Sequence, residues 1–409
     1  MKAKINLILL MAFSLSLLTV SCKKDDNNND EQPAEENTVL TGVLNEDKTL
    51  TADKIWYIDK RFVVPDGKKL TIEPGTIIKG KPGSGADASV LIVARGGKIF
   101  ANGTEANPIV FTAEADNIDV GQKFGTNLSE DDNGLWGGVI ILGKAKGSFE
   151  NDVTEFSIEG IPASDPNGKY GGNDDADNSG VFKYVSIRHG GSEIGAGNEI
   201  NGLSLGCVGS GTEIHHIEIV GNKDDGIEHF GGAVHESELL IFACNDDGLD
   251  IDQAYHGEIT NSVVIKGQGS DSGLEIDGGE GSLQLPFQMS NVTLIGFSSN
   301  DERYADFRHG AIGTVQDIYA YGFPSGAKIR LKHDETAQNY NNNVLVFQNW
   351  QIALPAGVNK TDLPDNHTNI PAPNFEDASF INPVQQGSQT VGADLNQFNW
   401  TYAKHKNAF

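Results

Sequence analysis

Asp224-Asp225-Gly226-Ile227-Glu228 is the first of three copies of one motif, which returns as Asp246-Asp247-Gly248-Leu249-Asp250 and as Asp271-Ser272-Gly273-Leu274-Glu275. The glycines of the three copies are 22 and 25 residues apart. This near-constant spacing indicates a solenoid in which each copy forms one coil. The same register extends upstream to Gly202 and, with weaker matches, downstream to Tyr304 and Gly326. The sequence therefore predicts six coils in one frame.

Each copy places an apolar residue or a histidine at the first and third positions after the glycine, with polar residues between them. This period of two is typical of a strand with one buried face. The predicted inward pairs are Leu203/Leu205, Ile227/His229, Leu249/Ile251, Leu274/Ile276, Ala305/Phe307 and Ala327/Ile329. A second set of apolar runs, such as Ile217-Glu218-Ile219, lies between these strands. Short strands with Gly, Asn and Asp at the corners favour a parallel β-helix over helical repeats, whose units are longer.

The limits of the predicted solenoid are residues 39–354. Strand–turn–strand runs such as Leu70–Gly75 extend the pattern back to about Val39. Two polar stretches rich in Gly and Asp, at 116–134 and 162–180, predict projecting loops. Residues 355–409 begin with a proline-rich stretch and predict a carboxy-terminal cap or wrapping segment.

The amino terminus predicts an export signal over residues 1–21. Lys2 and Lys4 precede an apolar run that ends in Ser21-Cys22 and is followed at once by polar residues, which favours a signal peptide over a membrane span. Residues 22–38 are acidic and are expected to form a flexible tether.

The residues around Cys22 also carry two resemblances. Leu17–Cys22 resembles a bacterial lipobox, although Thr19 stands where leucine is usual, and this implies a lipid on Cys22. Lys23-Lys24-Asp25-Asp26 resembles the Bacteroidota signal that directs lipoproteins to the outer face of the outer membrane. Together they imply a lipid-anchored protein of the cell outer membrane that faces the extracellular side. A plain acidic tether explains the second stretch equally well.

The overall charge limits the binding partners. With 57 acidic and 30 basic residues the formal net charge is −27, which argues against nucleic acid as a partner and favours divalent cations. Cys207 and Cys244 lie at different places in their coils, so they are expected to be buried thiols rather than a disulfide. Ca²⁺ is the expected cofactor, and no organic cofactor is expected.

Two columns of outward side chains follow from the repeat, because equivalent residues of successive coils lie about 4.8 Å apart. The second position after the glycine gives Ser204, Glu228, Asp250, Glu275, Asp306 and Lys328, and the fourth gives Gly206, Phe230, Asp252, Asp277, Arg308 and Arg330. Five carboxylates are therefore expected on one outer face beside a basic edge, namely Glu228, Asp250, Asp252, Glu275 and Asp277 beside Arg308, Lys328 and Arg330. Stacked like charges repel by roughly 1 kcal/mol per solvated pair. Bound Ca²⁺, the arginines or a protonated carboxyl would offset that repulsion.

The sequence leaves the role of these five carboxylates open between a Ca²⁺ site and a solvated surface. The aspartates in the turns are expected to be structural, because aspartate tolerates the backbone geometry of corners. They are Asp224, Asp225, Asp246, Asp247 and Asp271.

Other side chains near the columns have predicted directions. The alternation of a strand predicts that His229 points into the solenoid and that only one of His215 and His216 points outward. Phe230 and Tyr255 are the aromatic residues expected to face outward beside the carboxylates. They are few for a sugar-binding platform.

Several segments together resemble predicted lipoproteins of Bacteroidota and proteobacteria that form a right-handed parallel β-helix of the pectin-lyase-like superfamily. The segments are Leu70–Thr76, Trp136–Gly138, Tyr184–Gly191, Asp224–Gly232 and Asn291–Gly296. The resemblance spans most of residues 40–350. It implies an all-β, right-handed parallel β-helix.

Two functions follow from the resemblance and the residues. The first is a non-catalytic lipoprotein that presents the solenoid to an acidic glycan, an outer-membrane transporter or another surface protein. The second is a carbohydrate-active enzyme, either a polysaccharide lyase or a polygalacturonase-like hydrolase. The lyase would use Asp252 and Asp277 for Ca²⁺ and Arg308 or Arg330 as the base.

The hydrolase motifs are matched only in part, by Asn222-Lys223-Asp224, Asp246-Asp247, Arg308-His309-Gly310 and Arg330-Leu331-Lys332. The incomplete motifs favour the binding hypothesis.

Overall fold

The computed structural model describes residues 38–195, 198–297 and 303–409. The predicted signal peptide, Cys22 and the tether up to residue 37 lie outside the described residues. The described chain forms a right-handed parallel β-helix, as the sequence predicts.

The strands of the described residues are mostly short. In chain order they are β1 (Val39–Val43), β2 (Lys48–Leu50), β3 (Ile55–Val64), β4 (Lys69–Ile72), β5 (Ile77–Gly80), β6 (Val90–Val93), β7 (Lys98–Asn102), β8 (Ile109–Ala113), β9 (Val139–Leu142), β10 (Phe156–Ser157), β11 (Lys169–Tyr170), β12 (Gly180–Arg188), β13 (Leu203–Gly206), β14 (Glu213–Val220), β15 (Ile227–Phe230), β16 (His235–Phe242), β17 (Leu249–Asp252), β18 (Glu258–Ile265), β19 (Ser272–Ile276), β20 (Phe287–Ile295), β21 (Arg303–Phe307), β22 (Gly313–Gln316), β23 (Tyr319–Tyr321), β24 (Lys328–Lys332), β25 (Leu345–Gln348), β26 (Trp350–Ile352), β27 (Pro364–His367) and β28 (Ile381–Pro383).

Helices contribute little. The α-helices are α1 (Asp334–Asn341), α2 (Pro373–Glu376) and α3 (Tyr402–His405), and the 3₁₀ turns are Gly85–Asp87, Glu150–Asp152, Pro166–Gly168, Lys360–Asp362 and Leu395–Phe398. Among the residues that the structure describes, no helix combines the length and the apolar character needed to cross a membrane.

The strands stack into three faces. The face that matters for function consists of β13, β15, β17, β19, β21 and β24, each paired in parallel with the next, and is called the carboxylate face below. The other two faces share the long strands β12, β14, β16, β18 and β20, which pair with one another over most of their length. Each of these coils therefore has one short strand on the carboxylate face and one long strand that spans the other two faces.

The last coil of the carboxylate face differs from the predicted register. Asp306 pairs with Arg330 rather than with Lys328, because β24 is shifted by two residues against the repeat. A shift of two leaves the same side-chain parity, so the apolar alternation of the sequence does not detect it. As a result Ile329 rather than Ala327 lies beside Ala305. Lys328 lies outside the predicted position and donates from Nζ to the carbonyl of Asp362 over 2.6 Å.

The long strands bend at a corner residue with left-handed backbone. The residues at this corner in β12, β14, β16, β18 and β20 have φ values between 48° and 56°, and they are Tyr184, His216, Glu238, Asn261 and Asn291. A left-handed residue interrupts the alternation of side chains along a strand. The strict alternation predicted for His215 and His216 therefore does not hold, because their Nδ1 atoms lie 2.7 Å apart, although only His215 is partly exposed and His216 is buried.

The interior of the solenoid is filled with stacked aliphatic and aromatic side chains. His229 is fully buried there, and Cys207 and Cys244 are buried free thiols, as predicted. Tyr255 was expected outside but is buried in the core, where its hydroxyl donates to the Val234 carbonyl over 2.8 Å. Its direction follows from the turn before it, in which two consecutive residues have positive φ. Phe230 is buried as well, against Tyr170 of β11.

The carboxy-terminal part both extends and wraps the solenoid. Strand pairing continues beyond residue 354, since β27 pairs with β24 and β28 pairs with β26. Residues 384–409, called the wrapping segment below, then run back across earlier coils. Along this path the Asp394 amide donates to Asn261 over 2.6 Å, and the Ala403 amide donates to the buried Glu218 over 2.9 Å. An apolar cluster that contains Phe398 anchors the segment.

Candidate metal site on the carboxylate face

The five carboxylates predicted to cluster do share the carboxylate face. Glu228, Asp250 and Glu275 are successive partners in the ladder of β15, β17 and β19. Asp252 ends β17, and Asp277 directly follows β19. Their environment is not that of a solvated surface, because Asp250 is only 9% exposed and Glu275 only 7%.

Arginines neutralise the carboxy-terminal half of this face. Arg308 pairs with Glu275 and donates to both oxygens of Asp277, over 2.7 Å and 3.0 Å. Arg330 donates hydrogen bonds to both oxygens of Asp306, and the distance from its Nε to Oδ1 is 2.8 Å. Burial alone would lower the pKa of Arg308, but the hydrogen bond and charge of Asp277 and the charge of Glu275 raise it above its ordinary value. Both arginines are therefore held as cations in ion pairs, which makes either of them a poor general base.

The amino-terminal half of the face is different, and its centre is Asp225, Glu228 and Asp250. One carboxylate oxygen from each of these three lies within 4.8 Å of the others. Within the described part of the chain, no lysine or arginine forms an ion pair with them. Oδ1 of Asp250 is buried and has no hydrogen-bond partner. Next to the cluster, Asn201 donates its amide to Glu228, while the amide oxygen of Asn201 is also buried without a partner.

Burial and the repulsion between these carboxylates raise their pKa values. Burial raises the pKa values of Asp225, Glu228 and Asp250 well above the ordinary range. Neighbouring carboxylates raise them further, since the charge of Asp247 acts on Asp225 and the charge of Asp225 acts on Glu228 and Asp250. Burial followed by the charge of Asp277 raises the pKa of Asp252 to about 7. Burial followed by the charge of Asp246 raises the pKa of Asp224 to about 7. In the absence of a cation, protons relieve the repulsion between these groups.

Glu275 marks the border between the two halves. It is hydrogen-bonded to Asp247 and paired with Arg308. Burial and the charge of Asp247 raise the pKa of Glu275 to about 9, and the charge of Arg308 only reduces this shift. Burial and Asp247 therefore favour the protonated form of Glu275, whereas the ion pair with Arg308 favours the charged form.

Two turn aspartates have the structural role that the sequence predicts. Oδ1 of Asp225 accepts from the Asp247 amide over 2.9 Å, and Oδ1 of Asp247 accepts from the Ser272 amide over 2.5 Å. These bonds link the corners of successive coils. Asp225 nevertheless belongs to the carboxylate cluster as well, an assignment that the sequence reasoning missed. The available signal was its position at the edge of the stacked strands, next to the acidic columns.

The ligand atoms of the cluster can be compared with the ligands that Ca²⁺ prefers. Ca²⁺ takes six to eight oxygen ligands at about 2.3–2.6 Å and prefers carboxylates and carbonyls. Asp225, Glu228 and Asp250 offer a purely oxygen donor set, and the orphaned oxygen of Asp250 is a buried acceptor that a cation would satisfy. The donor set therefore fits Ca²⁺.

A cavity of about 500 Å³ adjoins the carboxy-terminal half of the face. It is lined in part by Asp252, Asp277 and His309. Nδ1 of His309 lies 2.8 Å from Asp277, and the imidazole is 58% exposed. His309 stacks on His333 with ring centroids 4.0 Å apart, and both residues have positive φ. The sequence predicts no separate role for His309, although Arg308-His309-Gly310 is one of the motifs compared with a hydrolase.

The raised pKa values predict how stability depends on pH in the absence of Ca²⁺. An unfolded aspartate has a pKa of about 4, whereas Asp224 and Asp252 have pKa values of about 7 when folded. Between these values the folded protein binds more protons than the unfolded chain, so stability falls as the pH rises through about 7. Each unit of pKa difference corresponds to about 1.4 kcal/mol. We expect the melting temperature in a chelator to fall between about pH 6.5 and about pH 8.

Thermal unfolding followed by circular dichroism measures this trend. Burial lowers the pKa values of His189 and His216. Below about pH 6.5 these histidines make stability rise with pH, which is opposite to the effect of the carboxylates. The interval above about pH 6.5 therefore reports mainly on the carboxylates. Asp252→Asn should flatten the fall, and Ca²⁺ should offset it because the ion replaces the protons. A melting temperature that rises with pH in the chelator would contradict the assignment.

A protein-family comparison agrees with this architecture. Residues 42–402, which are most of the chain, match the model of a family described as a pectate-lyase-like β-helix domain. Among solved structures, the A-module of the mannuronan C-5 epimerase AlgE4 from Azotobacter vinelandii is similar at 13% sequence identity and a TM-score of 0.35, over 81% of this chain and 91% of that one. No curated protein matches the chain.

Proposed function

The chain belongs to the pectate-lyase-like β-helix domain family, and on that premise we propose that its carboxylate face binds Ca²⁺ and, through the ion, an acidic glycan. The observation that carries the proposal is the buried, unpartnered Oδ1 of Asp250 within a cluster of three carboxylates. In this account the protein is a binding module and not an enzyme.

The charge of the face explains why the ion and the glycan belong together. A polyanion is repelled by Asp225, Glu228 and Asp250, and the chain as a whole carries a net charge of −27. Bound Ca²⁺ cancels most of the negative charge of these three carboxylates and offers open ligand positions to a further carboxylate. Because the three side chains do not fill the six to eight ligand positions of the ion, a glycan carboxylate can complete the shell.

The binding test uses the full-length protein on immobilised polygalacturonate and alginate, with dextran as the neutral control. We expect retention on the acidic glycans in Ca²⁺, release by a chelator, and no retention of Asp250→Asn. Retention that persists in the chelator or in Asp250→Asn would refute the Ca²⁺-bridged mode.

The proposed location is the extracellular side of the outer membrane of a member of the Bacteroidota. Support for it comes from the sequence, in which a lipobox-like stretch ends at Cys22 and an acidic tether follows. A lipid on Cys22 would hold the protein at the cell surface, where a glycan, a transporter or another surface protein can bind it. Metabolic labelling with an alkyne fatty acid tests this, since Cys22→Ala should lose the label and leave the membrane fraction.

A polysaccharide lyase is the second candidate, and the Asp277–His309 pair is the observation that favours it. His309 is exposed at the cavity and oriented by a carboxylate, the arrangement of a general base. It would remove the proton on the carbon next to the uronate carboxyl. The C4–O4 bond then breaks, a C4=C5 double bond forms, and the departing oxygen takes up a proton.

The unsaturated uronate product absorbs in the ultraviolet, which separates the two candidates. We expect no such product from wild type while Ca²⁺-dependent retention is present. Product that is formed by wild type and lost in His309→Ala would establish the lyase and overturn the binding-module account.

A further inference from the structure

Two adjacent histidines and a glutamate meet at a corner of the solenoid away from the carboxylate face. His216 and Glu238 occupy equivalent corner positions of β14 and β16, with φ of 53° and 54°. Nδ1 of His216 lies 2.7 Å from Nδ1 of His215 and 3.6 Å from the Glu238 carboxylate. The ligand atoms of all three residues lie within 4.8 Å of one another. We propose that His215, His216 and Glu238 bind a transition-metal ion of the Zn²⁺ class.

The outer contacts of the two rings favour this assignment. Nε2 of His215 lies 3.2 Å from Glu213, which is also paired with Lys183. The side chain of Gln397 hydrogen-bonds the His216 ring. In metal sites the free nitrogen of a ligating histidine commonly donates to such a carboxylate or amide, which fixes the tautomer and the ring orientation.

This arrangement places electron pairs where an ion would sit. When Nε2–H of His215 donates to Glu213, Nδ1 of His215 carries a lone pair and faces Nδ1 of His216. At 2.7 Å the two Nδ1 atoms are held together either by a proton, in an Nδ1–H···Nδ1 hydrogen bond, or by a cation that both nitrogens ligate. The Glu238 carboxylate adds negative charge on the same side, which favours a cation with more than one charge.

The ligand chemistry separates this site from the carboxylate face. Imidazole nitrogens suit Zn²⁺, Cu²⁺ and Ni²⁺, whereas Ca²⁺ prefers oxygen ligands. The side chains of His215 and Glu238 are 27% and 20% exposed, so an ion can enter and can keep a water or an exogenous ligand.

The position of the site also links the ion to the wrapping segment. The ring of Tyr184 stacks on His216 at 4.2 Å, and Trp400 of the wrapping segment lies edge-on to Tyr184 at 5.6 Å. Gln397 belongs to the same segment and contacts His216. An ion at this corner therefore fixes the rings against which residues 384–409 pack.

Isothermal titration of the metal-free, untagged full-length protein with Zn²⁺ tests the proposal. We expect one equivalent to bind, and we expect His215→Ala and His216→Ala each to weaken binding by at least about 100-fold. Glu213→Gln should weaken it by roughly 10–100-fold, the usual effect of losing an outer partner. His235→Ala, an exposed histidine at the start of the neighbouring strand β16, should bind as wild type does.

Further variants keep the result interpretable. Glu238→Gln preserves shape, and its circular dichroism shows whether a loss of binding reflects unfolding. Substitution with Co²⁺ should give the visible absorption of a nitrogen-ligated ion in wild type and not in His216→Ala. Absence of Zn²⁺ binding, binding unchanged in His215→Ala and His216→Ala, or binding abolished by His309→Ala instead, would overturn the proposal.

Discussion

The Asp250→Asn variant is expected to bind Ca²⁺ at least about 100-fold more weakly than wild type, a loss of roughly 2.7 kcal/mol in binding free energy. Asparagine keeps the size of the side chain and removes one negative charge from a cluster with which no arginine or lysine of the described chain forms an ion pair. It also replaces the oxygen that is buried without a partner. Calorimetric titration of the full-length protein measures the effect.

A stability measurement distinguishes loss of a ligand from loss of the fold. Because Asp250 is repelled by Asp225 and Glu228 when no ion is bound, the variant should be as stable as wild type or more stable in a chelator, most clearly above neutral pH. Asp47→Asn makes the same charge change at an exposed position several coils away and should leave Ca²⁺ binding unchanged. Equal affinities of Asp250→Asn and wild type would remove Asp250 from the site.

Arg308→Gln is expected to have the opposite pair of effects, namely lower stability without Ca²⁺ and tighter Ca²⁺ binding. The arginine neutralises Glu275 and Asp277, whose side chains are 9% and 10% exposed. Removing one partner of a buried ion pair costs about 3–5 kcal/mol. Since the side chain of Arg308 is itself 24% exposed, we expect about 2–3 kcal/mol. Chemical denaturation in a chelator measures this loss.

The gain in Ca²⁺ affinity follows from the same charge. Arg308 lies close enough to Asp250 for their charges to interact, so its removal makes the potential at the site more negative. We expect roughly tenfold tighter binding, about 1.4 kcal/mol. Arg330→Gln is the matched control, because Arg330 neutralises Asp306 further along the face, and it should destabilise the protein with little change in Ca²⁺ affinity. Weaker Ca²⁺ binding in Arg308→Gln would place the ion elsewhere.

The fold was predictable because the repeat sets the register of the stacked strands. The spacing of Gly226, Gly248 and Gly273 places Glu228, Asp250 and Glu275 side by side, and the ladder of β15, β17 and β19 confirms it. Two errors have a common origin in irregular backbone. A two-residue shift at β24 keeps side-chain parity, and the left-handed corner at His216 breaks it. Neither the register shift nor the left-handed corner can be detected from the alternation of apolar residues.

The candidate site was predictable only in its strand residues. The columns identify Glu228 and Asp250, but the third member, Asp225, comes from a turn whose side-chain direction depends on the finished corner. The burial of the cluster was not predictable either, because it depends on segments distant in sequence. The loop between β10 and β11 brings Glu159 close enough to raise the pKa of Glu228, although burial is the larger cause. The periodicity of the sequence does not predict a contact between a loop and a strand that are distant in the chain.

A crystal structure of the full-length protein grown with Ca²⁺ and recorded with anomalous scattering tests the proposed metal site directly. We expect an anomalous peak about 2.3–2.6 Å from Oδ1 of Asp250, shared with Asp225 and Glu228. A water molecule at that position, or an ion bound only elsewhere on the solenoid, would contradict it.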